Sequence, residues 1–189
     1  MSDEERRFGP VPVEKMTAQQ RSLQETIMSG PRGWSGGLRG PFEALLHSPG
    51  FTDPLQQLGL YVRYGSSIPR VLNEMAILIV ARRWSAQFEF AAHRQLAVDA
   101  GLDPSYADAI AIGRRPALDG DGVAVYEFAT QLLVEGNVTD DAFDAVVSRW
   151  GKQGAIDLIG VLGYYSLVSF VLNVDRYPPP EGAVPLSAI

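Results

Sequence analysis

The stretch that decides the fold is NEMAILIVARRWSAQFEFAAHRQLAVDAGL, residues 73–102. Its centre, MAILIVA at 75–81, is an apolar run that is much shorter than the ~20 residues needed to cross a bilayer. Ser85 can cap a second helix, which runs from Ala86 to Ala100 and is stopped by Gly101. The pattern therefore predicts two consecutive helices, the first of them apolar nearly all round.

Helix signals continue on both sides of this pair. Prolines at first helical positions, N-cap residues and glycine stops mark the boundaries, and apolar residues recur at helical spacing between them. The predicted helices are 41–48, 54–65, 66–83, 86–100, 103–115, 123–136, 142–150 and 152–173. No segment alternates with a period of two, so the sequence predicts an all-α protein.

The composition predicts one helical domain with extensions. Hydrophobic residues make up 46% of the 189 residues and charged residues 20%, which is typical of a globular chain. Residues 1–40 lack a helical period and include a Gly-rich stretch with Trp34, so they are predicted to form an arm and loop. Residues 41–180 form the predicted domain, and 181–189 a tail.

Charge and cysteine content exclude several function classes. The net charge is −6 and no dense cluster of Lys and Arg is present, so nucleic acid is not an expected partner. The chain has no cysteine, which excludes disulfides, thiolate metal sites and a cysteine nucleophile.

The apolar segments bear on location and assembly. The first twenty residues are polar and unlike a signal peptide, and no apolar run is long enough to span a membrane, so a cytoplasmic protein without a membrane partner is expected. Helices 66–83 and 152–173 are apolar nearly all round and must be covered by this chain or by a second copy. We therefore expect a homo-oligomer, whether dimer, trimer or hexamer.

Three polar residues in the central pair of helices are candidates for chemistry. Glu74 enters an apolar helix, where an unpaired carboxylate is costly, so it is either structurally paired or poised as an acid or base. Glu89 and His93 are four residues apart and share a helix face, where the carboxylate can orient the imidazole. An ordinary surface pair is the alternative for these two.

Metal and nucleophile sites are not indicated. A zinc or iron site needs three or four donors, and the chain offers two histidines and no cysteine, so we expect no metal and no cofactor. No Gly-x-Ser-x-Gly motif occurs between a strand and a helix.

The central stretch resembles the core motif of the carboxymuconolactone decarboxylase and alkylhydroperoxidase D superfamily. In both, a glutamate enters an apolar helix, a short break follows, and the next helix carries a histidine. The flanking segments GPFEALLHSPGF, YGSSIPR and GYYSLVSFVLNVDRYPPP are similar to those of the longer family members, so the resemblance covers residues 40–180. It implies an alkylhydroperoxidase D-like (AhpD-like) bundle of about eight helices.

The resemblance also implies a reaction type. The thiol peroxidase branch places a Cys-x-x-Cys pair at the positions of Ala86 and Glu89, so the absence of both thiols disfavours peroxide reduction. The decarboxylase branch has the acidic residue and histidine that Glu89 and His93 match. It implies cofactor-independent chemistry on a small organic acid or lactone, with His93 as general acid/base, Glu89 orienting it and Glu74 as a second proton donor or acceptor.

Five further residues near the motif are candidates for ligand binding. Arg82 and Arg83 adjoin the motif and are assigned to a substrate carboxylate, although such a pair also suits a helix C-terminus. Trp84, Tyr61 and Tyr64 are assigned to the pocket wall, with core packing as the alternative. A hydratase or hydrolase using the same three residues, or a catalytically silent oligomeric binding protein, are the other readings of the chain.

Overall fold

Helices account for all the regular structure of the described chain. The computed structural model describes residues 6–32 and 36–186, and this part contains no strand. The helices are α1 Ala18–Met28, α2 Pro41–Leu45, α3 Pro49–Leu60, α4 Arg70–Arg83, α5 Gln87–Asp99, α6 Pro104–Ala111, α7 Gly120–Glu135 and α8 Asp140–Asp175. A 3₁₀ turn, Val13–Lys15, precedes α1, and a π-helical turn, Tyr61–Gly65, follows α3. The all-α prediction is confirmed.

Helix α4 lies at the centre of the bundle. Every residue from Asn73 to Arg82 is buried, because α5, α6, α7 and α8 all pack against this helix. A helix that is apolar on every side requires such complete cover. The chain itself therefore covers α4 and leaves it no apolar face for a second copy.

Helix α8 is the other long apolar element, and it keeps an exposed face. By length and composition, α8 is long and apolar enough to cross a membrane, contrary to the expectation from the sequence. Its most apolar 18-residue stretch has a mean hydropathy of 1.8, but 56% of that stretch is buried inside the protein, as in a core helix. The exposed large apolar residues of α8 are Phe143, Ile156, Ile159, Phe170 and Val174. Of the two helices that suggested self-association, only α8 offers surface for it, and the oligomer stays a prediction.

The N-terminal arm contains a helix that the sequence analysis did not predict. Helix α1 begins at a capping box, in which the Thr17 hydroxyl accepts from the backbone of Gln20 and the Gln20 side chain accepts from that of Thr17. Only Leu23 and Ile27 of this helix are buried, which is too short an apolar stripe to stand out. Residues 1–5 and 33–35 of the predicted arm, including Trp34, and 187–189 of the predicted tail lie outside the described residues.

Several predicted boundaries were wrong. Pro49 occupies the first turn of α3, so α3 begins before the predicted start at residue 54. Ser85 does not cap α5; its φ of 50° reverses the chain between α4 and α5, and α5 begins without a side-chain cap.

The last two predicted helices form one kinked element. Thr139 caps α8, accepting from the backbone of Ala142. Gly151, the predicted stop, has φ 67° and ψ −178°, a backbone conformation that is essentially restricted to glycine. The chain bends there and the helix continues to Asp175.

We expect Gly151→Ala to lower the free energy of unfolding by roughly 1–3 kcal/mol, because alanine is strained in this conformation. Gly163→Ala is the matched control in the same helix, since a Cβ at Gly163 meets nothing within 4 Å. That control should be neutral or slightly stabilising, because alanine favours a helix over glycine. Urea unfolding of both variants checks this, and equal stability of the two would contradict the kink's dependence on glycine.

Candidate active site

Glu74, Glu89 and His93 form one buried hydrogen-bonded cluster. The Nδ1 atom of His93 lies 2.6 Å from Oε2 of Glu74, and its Nε2 atom lies 3.0 Å from Oε1 of Glu89. Glu74 is 2% exposed, Glu89 4% and His93 5%. The structure thus brings together all three candidates from the sequence, and a glutamate engages each imidazole nitrogen.

The reversal between α4 and α5 creates this cluster. Glu74 lies near the beginning of α4, and His93 lies in the second half of α5, so an antiparallel pair of helices places them side by side. Glu89 follows from the helical period, because it is one turn before His93 on the same face. The turn at Ser85 is therefore part of what positions the site.

The glutamates determine the charge of His93. Burial alone lowers the pKa of His93, but the negative charge of Glu89 and the hydrogen bonds to Glu74 and Glu89 outweigh burial and raise that pKa to about 9. The imidazole is therefore protonated at neutral pH and donates both N–H groups. A proton is held inside the protein, next to two possible acceptors.

A cavity of about 340 Å³ opens against one side of the cluster. Glu89 and His93 line it, whereas Glu74 lies behind His93 and is not part of its wall. The rest of the wall is apolar, tyrosine and arginine side chains: Phe42, Phe88, Leu96, Val168, Tyr164, Tyr165, Arg32, Arg39 and Arg63. The space suits a small ligand with an apolar body and an acidic group.

Two consecutive tyrosines of α8 close the cavity beside the imidazole. The ring of Tyr165 stands edge-on to that of His93, with the centroids 5.0 Å apart. Tyr164 hydrogen-bonds with Arg32, and burial raises the pKa of Tyr164 to about 12, against the opposing charge of Arg32. Burial also raises the pKa of Tyr165 well above its ordinary value. Both hydroxyls are therefore neutral at physiological pH.

The predicted ligand-binding residues Arg82, Arg83 and Trp84 lie away from the cavity. They end α4, and eight residues of helix separate Arg82 from Glu74, a rise of about 12 Å. Arg82 is buried, Arg83 donates to the carbonyl oxygen of Leu133, and Trp84 donates to the hydroxyl of Ser166. Their proximity to the motif is a proximity in sequence only.

Tyr61 and Tyr64 are also outside the cavity wall. The hydroxyl of Tyr61 donates to Asp157, and that of Tyr64 lies 3.4 Å from the carbonyl oxygen of Pro31. Both belong to the π-helical turn, and it is Arg63 of this turn that lines the cavity. None of these five residues lines the cavity beside His93.

The cavity arginines were missed because their segments lack strong signals. Arg32 and Arg39 lie in the segment between α1 and α2, where no period exists. Gly59 offered one usable hint, since a glycine inside a helix often marks a close approach of another group. It lies one turn before Arg63 and lines the same cavity.

The donors of the site are not arranged for a metal. Within residues 6–32 and 36–186, no group of three or more His, Asp or Glu side chains could hold a metal ion. The glutamates engage both nitrogens of His93 in this arrangement.

Comparison with known proteins supports the fold. No protein-family model matches the chain, and no curated protein does. Three chains of solved structures match. One is the crystal structure of a protein of unknown function from Agrobacterium tumefaciens, described as a candidate AhpD antioxidant defence protein. It superposes with a TM-score of 0.64 at 14% identity, over 75% of this chain and 99% of that one.

This likeness shows an AhpD-like helical fold, as the sequence resemblance predicted. At 14% identity, the likeness shows only the fold. A shared fold does not determine which reaction a protein catalyses. The narrower assignment to carboxymuconolactone decarboxylases stays a prediction.

Gly59 allows Tyr164 to lie against α3, which gives a test of the cavity wall. A Cβ at Gly59 would lie 2.3 Å from the Tyr164 hydroxyl oxygen and 2.6 Å from its Cζ atom. We expect Gly59→Ala to displace Tyr164 and to cost roughly 1–3 kcal/mol of stability through overpacking. The control Gly160→Ala meets only an ordinary contact of 3.6 Å with Val62, and it should cost less.

A double-mutant cycle checks the cause of that loss. If Tyr164 is the obstacle, Gly59→Ala combined with Tyr164→Leu should lose less stability than the sum of the two single changes. Strict additivity would contradict the contact.

Proposed function

We propose that this chain is a cofactor-independent acid/base enzyme that decarboxylates a small carboxylated or lactone compound. The observation that carries the proposal is a histidine that contacts a buried glutamate at each ring nitrogen, at the wall of a small cavity. A buried ionisable group with a strongly shifted pKa in a cavity is typical of a catalytic acid or base. A cytoplasmic location and a homo-oligomeric state are part of the same proposal.

The geometry supports an order of roles within the cluster. Glu89 borders the cavity and contacts Nε2 of His93, so it can exchange a proton with a ligand and with the imidazole. Glu74 contacts Nδ1 from the side away from the cavity, so it can orient the ring and hold its charge. We therefore propose that His93 stores the proton, Glu89 relays it to the ligand, and Glu74 positions His93.

The proposed step balances without a further reagent. The bond between the ligand carbon and its carboxylate breaks, carbon dioxide leaves, and the electron pair stays on the carbon, where an adjacent carbonyl can delocalise it. Glu89 passes the proton of His93 to that carbon, and solvent returns a proton to the imidazole. The apolar side chains of Phe42, Phe88, Leu96 and Val168 lower the polarity of the cavity wall, which strengthens the electrostatic interactions there.

Two isosteric variants test the order of roles. Glu89→Gln and Glu74→Gln each leave His93 one glutamate partner, so both should fold. We expect Glu89→Gln to lower the rate by about 10²–10⁴ at every pH, because it removes the group that faces the ligand. Glu74→Gln should lower the pKa of His93, since one supporting carboxylate is lost, and so move the alkaline limb of the pH–rate profile to lower pH.

The assay is carbon dioxide release from a panel of small carboxylated lactones in deuterium oxide. Decarboxylation by this route places deuterium on the carbon that carried the carboxylate, which NMR detects. Turnover by Glu89→Gln within a few-fold of the wild type would exclude the proposed relay. Water addition without release of carbon dioxide would indicate a hydratase, and binding without turnover would indicate a silent binding protein.

A further inference from the structure

We infer that Arg63, on the π-helical turn Tyr61–Gly65, is the residue that binds the acidic group of the ligand in this cavity. The inference rests on the proposed function, in that it assigns the cavity to a small organic anion. The ligand carboxylate is thus assigned to Arg63, in the turn that follows α3, and not to Arg82 or Arg83 at the end of α4.

The backbone of the turn is held firmly from α4. A π-helical turn breaks the regular hydrogen-bond ladder of a helix, and such turns are frequent at functional sites. Here the side-chain amide of Asn73 donates to the carbonyl oxygen of Val62 over 2.9 Å. Asn73 is 2% exposed and directly precedes Glu74. One stretch of α4 therefore supports both the acid/base cluster and the turn that carries Arg63.

Helix α8 holds the same turn from the other side. The carboxylate of Asp157 accepts from the Tyr61 hydroxyl at 2.9 Å, and from the backbone and hydroxyl of Ser67 at 2.8 Å and 2.7 Å. Asp157 is itself only 4% exposed. With both ends of the turn anchored, the backbone position of Arg63 is well defined, and the flexible part of this residue is its side chain.

Arg63 lacks an acidic partner of its own. It is half-buried and lines the cavity, but it makes no hydrogen bond or ion pair within the described residues, and its one ring contact is with Tyr64 at 5.3 Å. A guanidinium carries five N–H donors in a planar fork that matches a carboxylate. A ligand carboxylate would supply the missing acceptors in a partly desolvated setting.

The environment of Arg63 favours an anion over a neutral ligand. Its positive charge reaches the two cavity tyrosines, where it opposes the rise in pKa that burial causes at Tyr164 and Tyr165. Arg32 and Arg39 line the same cavity and add positive charge, in a chain whose net charge is −6. Apolar side chains such as Phe88 and Leu96 then remain for the body of the ligand.

Benzoate and benzamide are the probes that test this inference. They share size and shape, and only benzoate is charged; Kd values for both are measured by NMR titration at low salt. The wild type should bind benzoate at least about tenfold more tightly than benzamide, as charge-assisted pairing predicts. Arg63→Gln should remove most of that preference, leaving only the weaker contribution of the Arg32 and Arg39 charges. Arg70→Gln is the matched control, because Arg70 is exposed and outside the cavity wall, and it should keep the preference.

The outcomes separate this inference from the proposed reaction. A wild type without preference for benzoate, or an Arg63→Gln variant that keeps it, overturns the assignment. Glu89→Gln should retain the preference for benzoate, because the variant keeps Arg63 and takes a negative charge off the cavity wall while it removes the proton relay. Loss of anion preference in Arg63→Gln supports the assignment whether or not carbon dioxide release is found, since binding is measured without turnover.

Discussion

The candidate site depends on one interaction, the double hydrogen bond that places the imidazolium of His93 between Glu74 and Glu89. Burying three ionisable groups is costly unless they compensate one another. The compensation shows in the pKa of His93, which burial lowers but the two glutamates raise to about 9. Since the ordinary pKa is 6.5, the stability that His93 contributes is fully present below about pH 6.5. It is lost as the pH rises through about 9.

The rest of the fold serves this arrangement. Helix α4 delivers Glu74 from the centre of the bundle, and the reversal at Ser85 returns α5 alongside it with Glu89 and His93. Helix α8 supplies the tyrosines that close the cavity, and its bend at Gly151 separates the capped first part from the packed second part. The AhpD-like architecture thus provides a rigid frame for acid/base groups without any thiol.

How much could be predicted from the sequence depended on the strength of the local pattern. The apolar run 75–81 and the four-residue spacing of Glu89 and His93 were sufficient for the central helices and for the three cluster residues. Helix α1 was not predicted because only two of its residues, Leu23 and Ile27, are buried. Arg63 was not predicted as a cavity residue because it lies in a π-helical turn, whose geometry differs from the ideal helical period. Arg82 was chosen for its place in the sequence, and helix length carries it away from the cluster.

The charge of His93 is the central claim, and an NMR titration of the histidine ring signals tests it most directly. The chain has only two histidines, and His47 is exposed, so the His93→Gln spectrum assigns the pair. The account predicts that His93 is an imidazolium at pH 7.5 and loses its proton near pH 9. A neutral His93 ring at pH 7 would contradict the account, because the proton that the proposed chemistry transfers would not be present.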